Sequence, residues 1–369
     1  MRILHVYKKA LPDSMGGVEQ VIHQLAQGAA ESGMQVTVLA LTSSNAPSTR
    51  QYGNYVVHQA KCDFEIASTS FSLSVIKQFA SLCQHADIVH YHYPWPMMDL
   101  LHLLIRPKAR SVLTYHSDIV KQRYLLKLYN PLMHWMMRNV DRIIATSPNY
   151  LESSETLQRY KEKVRLIPYG LDKESYPKPS EDAVGQWQKL IGQKFFLFVG
   201  VLRYYKGLPT LIEAAKGTNY PIVIVGSGPL ERDLRKMVEA DGPPNIHFLG
   251  QLPDADKTAL LNACLAFIFP SNIRSEAFGI SLLEAAMFGK PMISCEIGTG
   301  TTYINIHNET GIVIPPNDPV ALRRALKSLW DDPVSAEEMG AKAAQRYASH
   351  FSADRMVSDY AGIYRSLIA

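Results

Sequence analysis

Cysteine is scarce in this chain. Cys62, Cys83, Cys264 and Cys295 are scattered over 369 positions with no C-x-x-C spacing, which excludes a disulfide-stapled fold and a structural zinc site. Long hydrophobic runs are missing too: stretches such as "LLHLLI" and "ACLAFIF" fall far short of the roughly 18 residues that a membrane span needs. The opening "MRILHVYKKALP" lacks the apolar length of a signal peptide and reads as a first strand, so a cytoplasmic location is expected. There is no low-complexity segment, no short repeat and no strong charge of either sign. The net charge of +4 calls for no nucleic-acid partner, but it is unevenly divided. Residues 1–175 carry 19 Lys and Arg against 14 Asp and Glu, whereas the rest is nearly balanced at 19 against 20.

What is present is core material. Hydrophobic residues make up 47% of the chain, and its length is more than one core organises, so two domains are expected. Short β-rich runs ("RILHVY", "QVTVLAL", "DIVHYHY", "RSVLTYH", "DRIIATS") alternate with amphipathic helical stretches, the pattern of a parallel sheet covered on both faces. The rhythm lapses in "DKESYPKPSEDAVGQWQKLIGQ" and restarts at "FFLFVG". The expected fold is therefore α/β, with two facing Rossmann-like, doubly wound domains and an interdomain cleft. The first domain spans 1–172, a linker 173–193, the second domain 194–352, and a last helix, 353–369, packs back on the first domain.

In such sheets ligands sit at the carboxyl ends of the strands. After strand "LAFIFPS" comes "SEAFGISLLEAAMFGKP", with Glu276 in the loop, a helix starting near Gly279, and Glu284 inside the helix among apolar residues. A buried carboxylate needs a partner. The amides around Gly279 and Ile280 are unpaired donors suited to phosphate. Together these suit a sugar nucleotide, against the plainer reading of a salt bridge and a capping Glu. In "FVGVLRYYKGLPTL", Arg203 and Lys206 follow a strand of the same domain, where cations would meet a diphosphate, although such residues are often mere surface. Gly226 and Gly228 in "VGSGPLERDL" lack the third glycine of a dinucleotide fingerprint and read as a tight turn.

In the first domain, Gly16 and Gly17 precede a helix and would let a ligand approach its amino end. His116 and Asp118 follow one strand; His90 and His92, on another, read equally well as structural. Asp254 and Asp256 form a D-x-D, but Asp254 is expected to cap a helix rather than bind a metal. Arg123, Lys127, Asn130, His134 and Arg138 fall on one helical stripe, and residues 106–142 hold eight Lys and Arg against two acids. That stripe suits either an anionic lipid surface or an ordinary half-buried helix.

The ordered set "GGVEQ", "VHYHYP", "TYHSD", "PYGLD", "RYYKG" and "EAFGISLLE" resembles the retaining family-four glycosyltransferases with the GT-B fold, along the whole chain. The combination "GVLRYYKG" with "PYGLD" is most similar to bacterial enzymes that add mannose or D-rhamnose during O-antigen or exopolysaccharide assembly. The resemblance implies a first domain for the acceptor and a second for the donor, a nucleoside diphosphate sugar, with a GDP-sugar favoured, and no metal or cofactor. Glu276 would hold the sugar hydroxyls and Glu284 the ribose. Arg203 and Lys206 would neutralise the leaving diphosphate, Gly17 and the amides near Gly279 would back the phosphates, and His116 would contact the donor sugar. Val201 stands where the family often has Arg, leaving Arg203 to reach the same phosphate. The acceptor implied is a glycan, a polyprenyl-linked one being the form that gives the basic first domain a use at an anionic membrane. A UDP-sugar transferase, a nucleotide-sugar epimerase and a non-catalytic sugar-binding protein are the alternative readings.

Overall fold

Runs of Val, Ile, Leu and Phe too short to make helices become buried parallel strands. The computed structural model describes residues 1–369 apart from 15, 45, 46, 67, 68, 120–122 and 244, and apart from the side chains of 123–125 and 241. The chain divides into two units, Met1–Leu171 with Ala353–Ala369, and Asp172–Ser352.

The first unit runs β1 (Arg2–Val6), α1 (Gly17–Glu31), β2 (Gln35–Thr42), β3 (Ser48–Tyr52), β4 (Tyr55–Lys61), β5 (Phe64–Ile66), β6 (Thr69–Phe71), α2 (Ser74–Cys83), β7 (Ile88–Tyr93), α3 (Pro96–Ile105), β8 (Arg110–Tyr115), α4 (Arg123–Asn139), β9 (Arg142–Ala145), α5 (Pro148–Ser153), α6 (Glu155–Arg159) and β10 (Val164–Leu166). Its main sheet has the order β10-β9-β8-β7-β1-β2-β4-β3 among the described residues, with β3 alone antiparallel to its neighbour. The second unit runs α7 (Glu181–Ile191), β11 (Phe196–Val199), α8 (Leu208–Ala215), β12 (Ile222–Val225), α9 (Glu231–Asp241), β13 (Ile246–Gly250), α10 (Asp254–Ala263), β14 (Ala266–Phe269), α11 (Ile280–Met287), β15 (Met292–Cys295), α12 (Thr301–Ile304), β16 (Gly311–Ile314), α13 (Pro319–Asp331) and α14 (Pro333–His350). Its sheet, β13-β12-β11-β14-β15-β16, is parallel throughout. Strand order reverses at β1/β7 in one unit and at β11/β14 in the other, and at such switch points the carboxyl ends of α/β strands leave a binding crevice.

Residues 173–193 are not the expected linker. They lie in the second unit, where Ser180 caps α7 by accepting from the amide of Ala183, and Trp187 donates its indole N–H to Asp256 on α10 at 3.1 Å. No residue of α7 is fully buried, but Ala183, Val184, Trp187, Gln188 and Ile191 repeat at helical spacing on one half-buried face, and it is Pro177 and Pro179 just before the helix that give the stretch the look of a linker. The last helix, α15 (Ala353–Ile368), belongs to the first unit and packs on α1. There Val357 sits where a β-carbon on Gly28 would meet it at 2.6 Å.

Tyr360 and Tyr364 of α15 join a buried polar chain. Alternation along β7 puts His90 and His92 on one face, and His5 of β1 is the register partner of His90. His5 Nδ1 shares a hydrogen bond with His92 Nε2 (3.0 Å), His92 Nδ1 with His116 Nε2 (2.9 Å), and His116 Nδ1 with the Tyr169 hydroxyl. His90 bonds Tyr364 and Thr114, each at 2.7 Å, and Thr114 bonds Tyr360. Burial pushes His5 and His116 down to about 3, and His90 and His92 well below the ordinary histidine value. These rings are therefore neutral at pH 7, each with one N–H, and whichever way the chain of donors points, its end is His5 Nε2. That atom is buried with no hydrogen-bond partner. The nitrogens of His5, His90 and His92 lie within 4.8 Å of one another, but those of His90 and His92 are already spent on hydrogen bonds.

In the second unit glycines let backbones touch. Gly226 (φ 129°) would put a β-carbon 2.0 Å from the carbonyl of Gly200, and Gly228 would put one 2.6 Å from the backbone of Leu202. The loops after β11 and β12 are thereby stitched, Leu202 N donating to Ser227 O and Leu230 N to Leu202 O.

Two outcomes are expected. Gly217 (φ 70°) faces open space, whereas a β-carbon on Gly207 (φ 66°) would lie 1.9 Å from the Pro270 carbonyl. In urea unfolding, Gly217→Ala should cost only the left-handed penalty of about 1–2 kcal/mol, and Gly207→Ala clearly more. Acid should also destabilise. Below pH 6.5 the unfolded chain protonates His5, His90, His92 and His116 while the folded chain does not, so stability falls as pH falls. The slope should approach about 1.4 kcal/mol per pH unit for each histidine, and a flat profile between pH 7 and 5 would contradict their neutral burial.

Candidate active site

The loops that leave β11 and β14 meet at the switch point of the second sheet. Asn272 N donates to the Tyr205 carbonyl at 2.9 Å, and the hydroxyls of Tyr204 and Ser275 lie 3.4 Å apart. At their centre Lys206 Nζ stands 2.5 Å from Glu276 Oε2, with side chains only 10% and 12% exposed. Ser271 Oγ donates to the same oxygen at 3.2 Å, and Nζ lies 4.7 Å from the centre of the Phe269 ring. Two residues expected in the site are thus brought together as a nearly buried ion pair with a hydroxyl and an aromatic face beside it. Burial, with the charge of Glu276 added, pushes Tyr205 up to about 12. Arg203 precedes this turn and is exposed.

Just beyond, α11 starts where expected. Gly279 holds the N-cap position at φ 99°, with the Phe269 ring 3.1 Å from where a β-carbon would stand. No side chain caps the helix, so the amides from Ile280 onward are presented as donors, and the helix dipole adds a positive field there.

Glu284 departs from expectation. Its carboxylate is buried, and Oε1 accepts from the Tyr176 hydroxyl at 2.9 Å and from Lys257 Nζ at 3.2 Å. Its burial is therefore accounted for by the protein itself, without ribose hydroxyls. Burial works to lower the Lys257 pKa, but Glu284 and Asp254 outweigh it and hold the ammonium above its usual value. Each glutamate of the pair has its own lysine: Glu276 with Lys206, Glu284 with Lys257.

Asp254 is not the cap it was expected to be. Pro253 takes that position, and Asp254 is the first helical residue, paired with Lys257 at 3.0 Å. A carboxylate there still complements the helix dipole.

In the first unit, Gly16 is the N-cap of α1, and Gly17 its first residue. The ground beside Gly16 is taken by the buried carboxylate of Glu19, whose Oε2 lies 2.5 Å from where a β-carbon would be, and which accepts from Ser14 Oγ at 3.0 Å. The positive end of α1 thus carries an internal anion. His116 follows β8 as expected, but it is buried and both ring nitrogens are committed, to His92 and Tyr169. Asp118 accepts from the hydroxyls of Tyr115 (2.8 Å) and Ser154 (2.9 Å). On the basic stripe, Lys127 and Arg138 are exposed, His134 bonds the Tyr160 hydroxyl, and the Arg123 side chain lies outside the described residues.

Tyr176, Lys257, Ser271 and Tyr169 went unread in the sequence. Tyr176 hid in the supposed linker and Lys257 behind the D-x-D, and the remaining signal was a buried acid or ring in search of a partner.

The family model for "Glycosyltransferase Family 4" matches residues 15–175, and that for "Glycosyl transferases group 1" residues 180–346. The D-rhamnosyltransferase WbpZ of Pseudomonas aeruginosa is 55% identical over 353 residues, covering 96% of this chain and 93% of that protein. The O-antigen chain mannosyltransferase C of Escherichia coli is 47% identical over 368 residues, covering 100% and 99%. Among solved structures, sucrose-phosphate synthase from Thermosynechococcus elongatus matches with a TM-score of 0.82 at 21% identity, over 99% of this chain and 98% of that one. Anabaena HepE, solved with UDP, matches with a TM-score of 0.77 at 18% identity over the whole of both chains. The motifs in order, the two α/β units and these relatives agree: the chain belongs to glycosyltransferase family 4 and is a glycosyltransferase of GT-B fold.

Proposed function

We propose that this glycosyltransferase moves mannose or D-rhamnose from a GDP-sugar to a glycan acceptor in the assembly of a bacterial O-antigen, with retention at the anomeric carbon and without a metal. The names of the two relatives support the sugar and the pathway. The observation that carries the chemistry is the Lys206–Glu276 pair beside the uncapped start of α11. A carboxylate can accept from sugar hydroxyls while an adjacent ammonium and helix amides take phosphate oxygens, so donor binding divides the pair between the two halves of one substrate. Lys206, with Arg203 from the exposed side, stabilises the diphosphate as negative charge builds on it, the work a metal does elsewhere. Asp254 and Asp256, the D-x-D of the sequence, are engaged with Lys257 and Trp187.

Retention places the acceptor hydroxyl on the face from which the diphosphate leaves. The glycosidic C–O bond forms as the bond to phosphate breaks, and the leaving phosphate oxygen takes the acceptor's proton. In this reading Glu284 orients Tyr176 and Lys257 and reaches the ribose through them or in exchange for them, and His116 meets a sugar hydroxyl by giving up its bond to Tyr169. The acceptor is a polyprenyl-linked glycan met at the inner face of the cytoplasmic membrane, a reading supported by the basic first unit. No helix among the described residues is long and apolar enough to cross a membrane.

Thermal stabilisation by GDP, UDP, ADP and dTDP, each with and without EDTA, tests the donor. A nucleotide at 100 times its dissociation constant adds about 2.7 kcal/mol. Selective, EDTA-insensitive stabilisation by GDP is expected; stabilisation by UDP alone would keep the transferase but discard a GDP-sugar.

Glu276→Ala should abolish transfer and, because it leaves Lys206 buried without its counter-ion, lower the unliganded midpoint by the equivalent of about 3–5 kcal/mol. Nucleotide should then stabilise this variant more than the parent, since phosphate becomes the counter-ion. Glu284→Ala should chiefly weaken nucleotide binding. Undiminished turnover in Glu276→Ala would remove that residue from the site.

A further inference from the structure

Far from the carboxyl ends of the strands, the first unit carries a second basic feature. Helix α3 ends at Ile105, and the strap 106–110 leads into the amino end of β8. Arg106 takes the left-handed conformation at φ 48° and closes the helix by donating its amide to the His102 carbonyl. Arg106, Lys108 and Arg110 occupy alternate positions on this strap and line the space on both sides of it. One cavity, of about 460 Å³, is completed by His102, Trp135, Asn139 and Asp141, and the other, of about 920 Å³, by residues that include Gln84, Asp87 and Leu367.

The side-chain carboxylates in these walls, Asp141 and Asp87, are already engaged, and Ala369 also lines the second cavity. Asp141 accepts from Arg110 (3.2 Å) and from the amide and hydroxyl of Ser111 (2.8 and 2.9 Å), and Asp87 accepts from the amide and guanidinium of Arg2. Arg106 and Lys108 are exposed and make no ion pair among the described residues. Trp135 supplies a flat wall 5.6 Å from the His102 ring. His102 is 8% exposed, and its Nδ1 is held by the Tyr91 hydroxyl at 2.8 Å, which leaves Nε2 as the ring nitrogen for a ligand. Burial pushes this ring down to about 4, so it is neutral at pH 7 and can meet an anion as a donor. Leu104 and Leu128, 55% and 81% exposed, stand on the last turn of α3 and on α4, which pack together.

We propose that the groove around the strap 106–110 is a second anion site, which seats a phosphate group between Arg106, Lys108 and Arg110 with its carrier against Trp135. Two guanidinium forks, that of Arg110 shared with Asp141, and an ammonium, with no side-chain carboxylate paired to Arg106 or Lys108, match the several acceptor oxygens of a phosphate. The same chemistry is offered by a lipid headgroup and by a soluble phosphate. The site stands apart from the residues assigned to sugar transfer, so its failure would leave that reading intact.

The test uses the full chain and the double variant Arg106→Gln/Lys108→Gln, with Lys61→Gln/Lys161→Gln removing the same charge at exposed positions elsewhere in the first unit. Binding is measured by calorimetry with inorganic phosphate and by co-sedimentation with vesicles of phosphatidylglycerol and phosphatidylcholine or of phosphatidylcholine alone. If the phosphate comes from a lipid, affinity for the anionic vesicles should drop about thirtyfold in the groove variant, roughly fivefold for each cation, and clearly less in the control. If it comes from a soluble ligand, inorganic phosphate should bind the parent and the control but not the groove variant. Equal loss in both variants, or no binding of either probe by the parent, would overturn the site. Unchanged stabilisation of the groove variant by nucleotide would show that the donor site is untouched.

Discussion

The ion pair between Lys206 and Glu276 is the constraint around which the second unit is arranged. Two opposite charges nearly out of water are tolerated only when geometry and extra hydrogen bonds offset desolvation, and Ser271 and the Phe269 ring supply that support. To bring the two side chains together, the loops after β11 and β14 must touch. A positive φ at Gly207 lets that backbone close against Pro270, and Gly226 and Gly228 do the same for the neighbouring loop. The pair also sits next to the uncapped start of α11, so a single small region offers an acceptor, a cation and a row of amide donors. A sugar nucleotide needs those three kinds of partner at once.

The first unit solves its polar burial in another way. Apart from the carboxylates of Glu19 and Asp99, the groups buried there are chiefly imidazoles and phenols, and desolvation keeps the histidines neutral, so that they can be joined by shared hydrogen bonds without counter-ions. A neutral chain is cheaper to bury than an ion pair, but it ties the rings to one another. His116 therefore stands just past β8 as one link of a chain from His5 to Tyr169, and any contact it makes with a substrate competes with a bond it already has. Glu284 follows the same logic with Tyr176 and Lys257.

Much of the fold was legible because parallel, doubly covered sheets demand short uninterrupted apolar strands, and "FFLFVG", "PIVIVG" and "LAFIFPS" could hardly be anything else. The start of α11 at Gly279 was legible because glycine tolerates a backbone that other residues avoid. The helix at Glu181–Ile191 was not, since Pro177 and Pro179 break the chain just before it, although its half-buried face repeats at helical spacing. The exchange of Asp254 from cap to first-turn residue was a shift of one position, below what residue type alone distinguishes.

By itself, the sequence determined two α/β units, the loops that carry Arg203, Lys206 and Glu276, and membership of a glycosyltransferase family, because strand runs, glycine positions and ordered motifs are local properties of a chain. Which charge meets which is not local. That Glu276 pairs with Lys206 across 70 residues, that Glu284 takes Tyr176 and Lys257, and that His5 bonds His92 at a separation of 87 were decided by strand order and loop closure. A buried polar group accepts whichever partner the packed backbone brings within about 3 Å, and only the tertiary structure selects that partner.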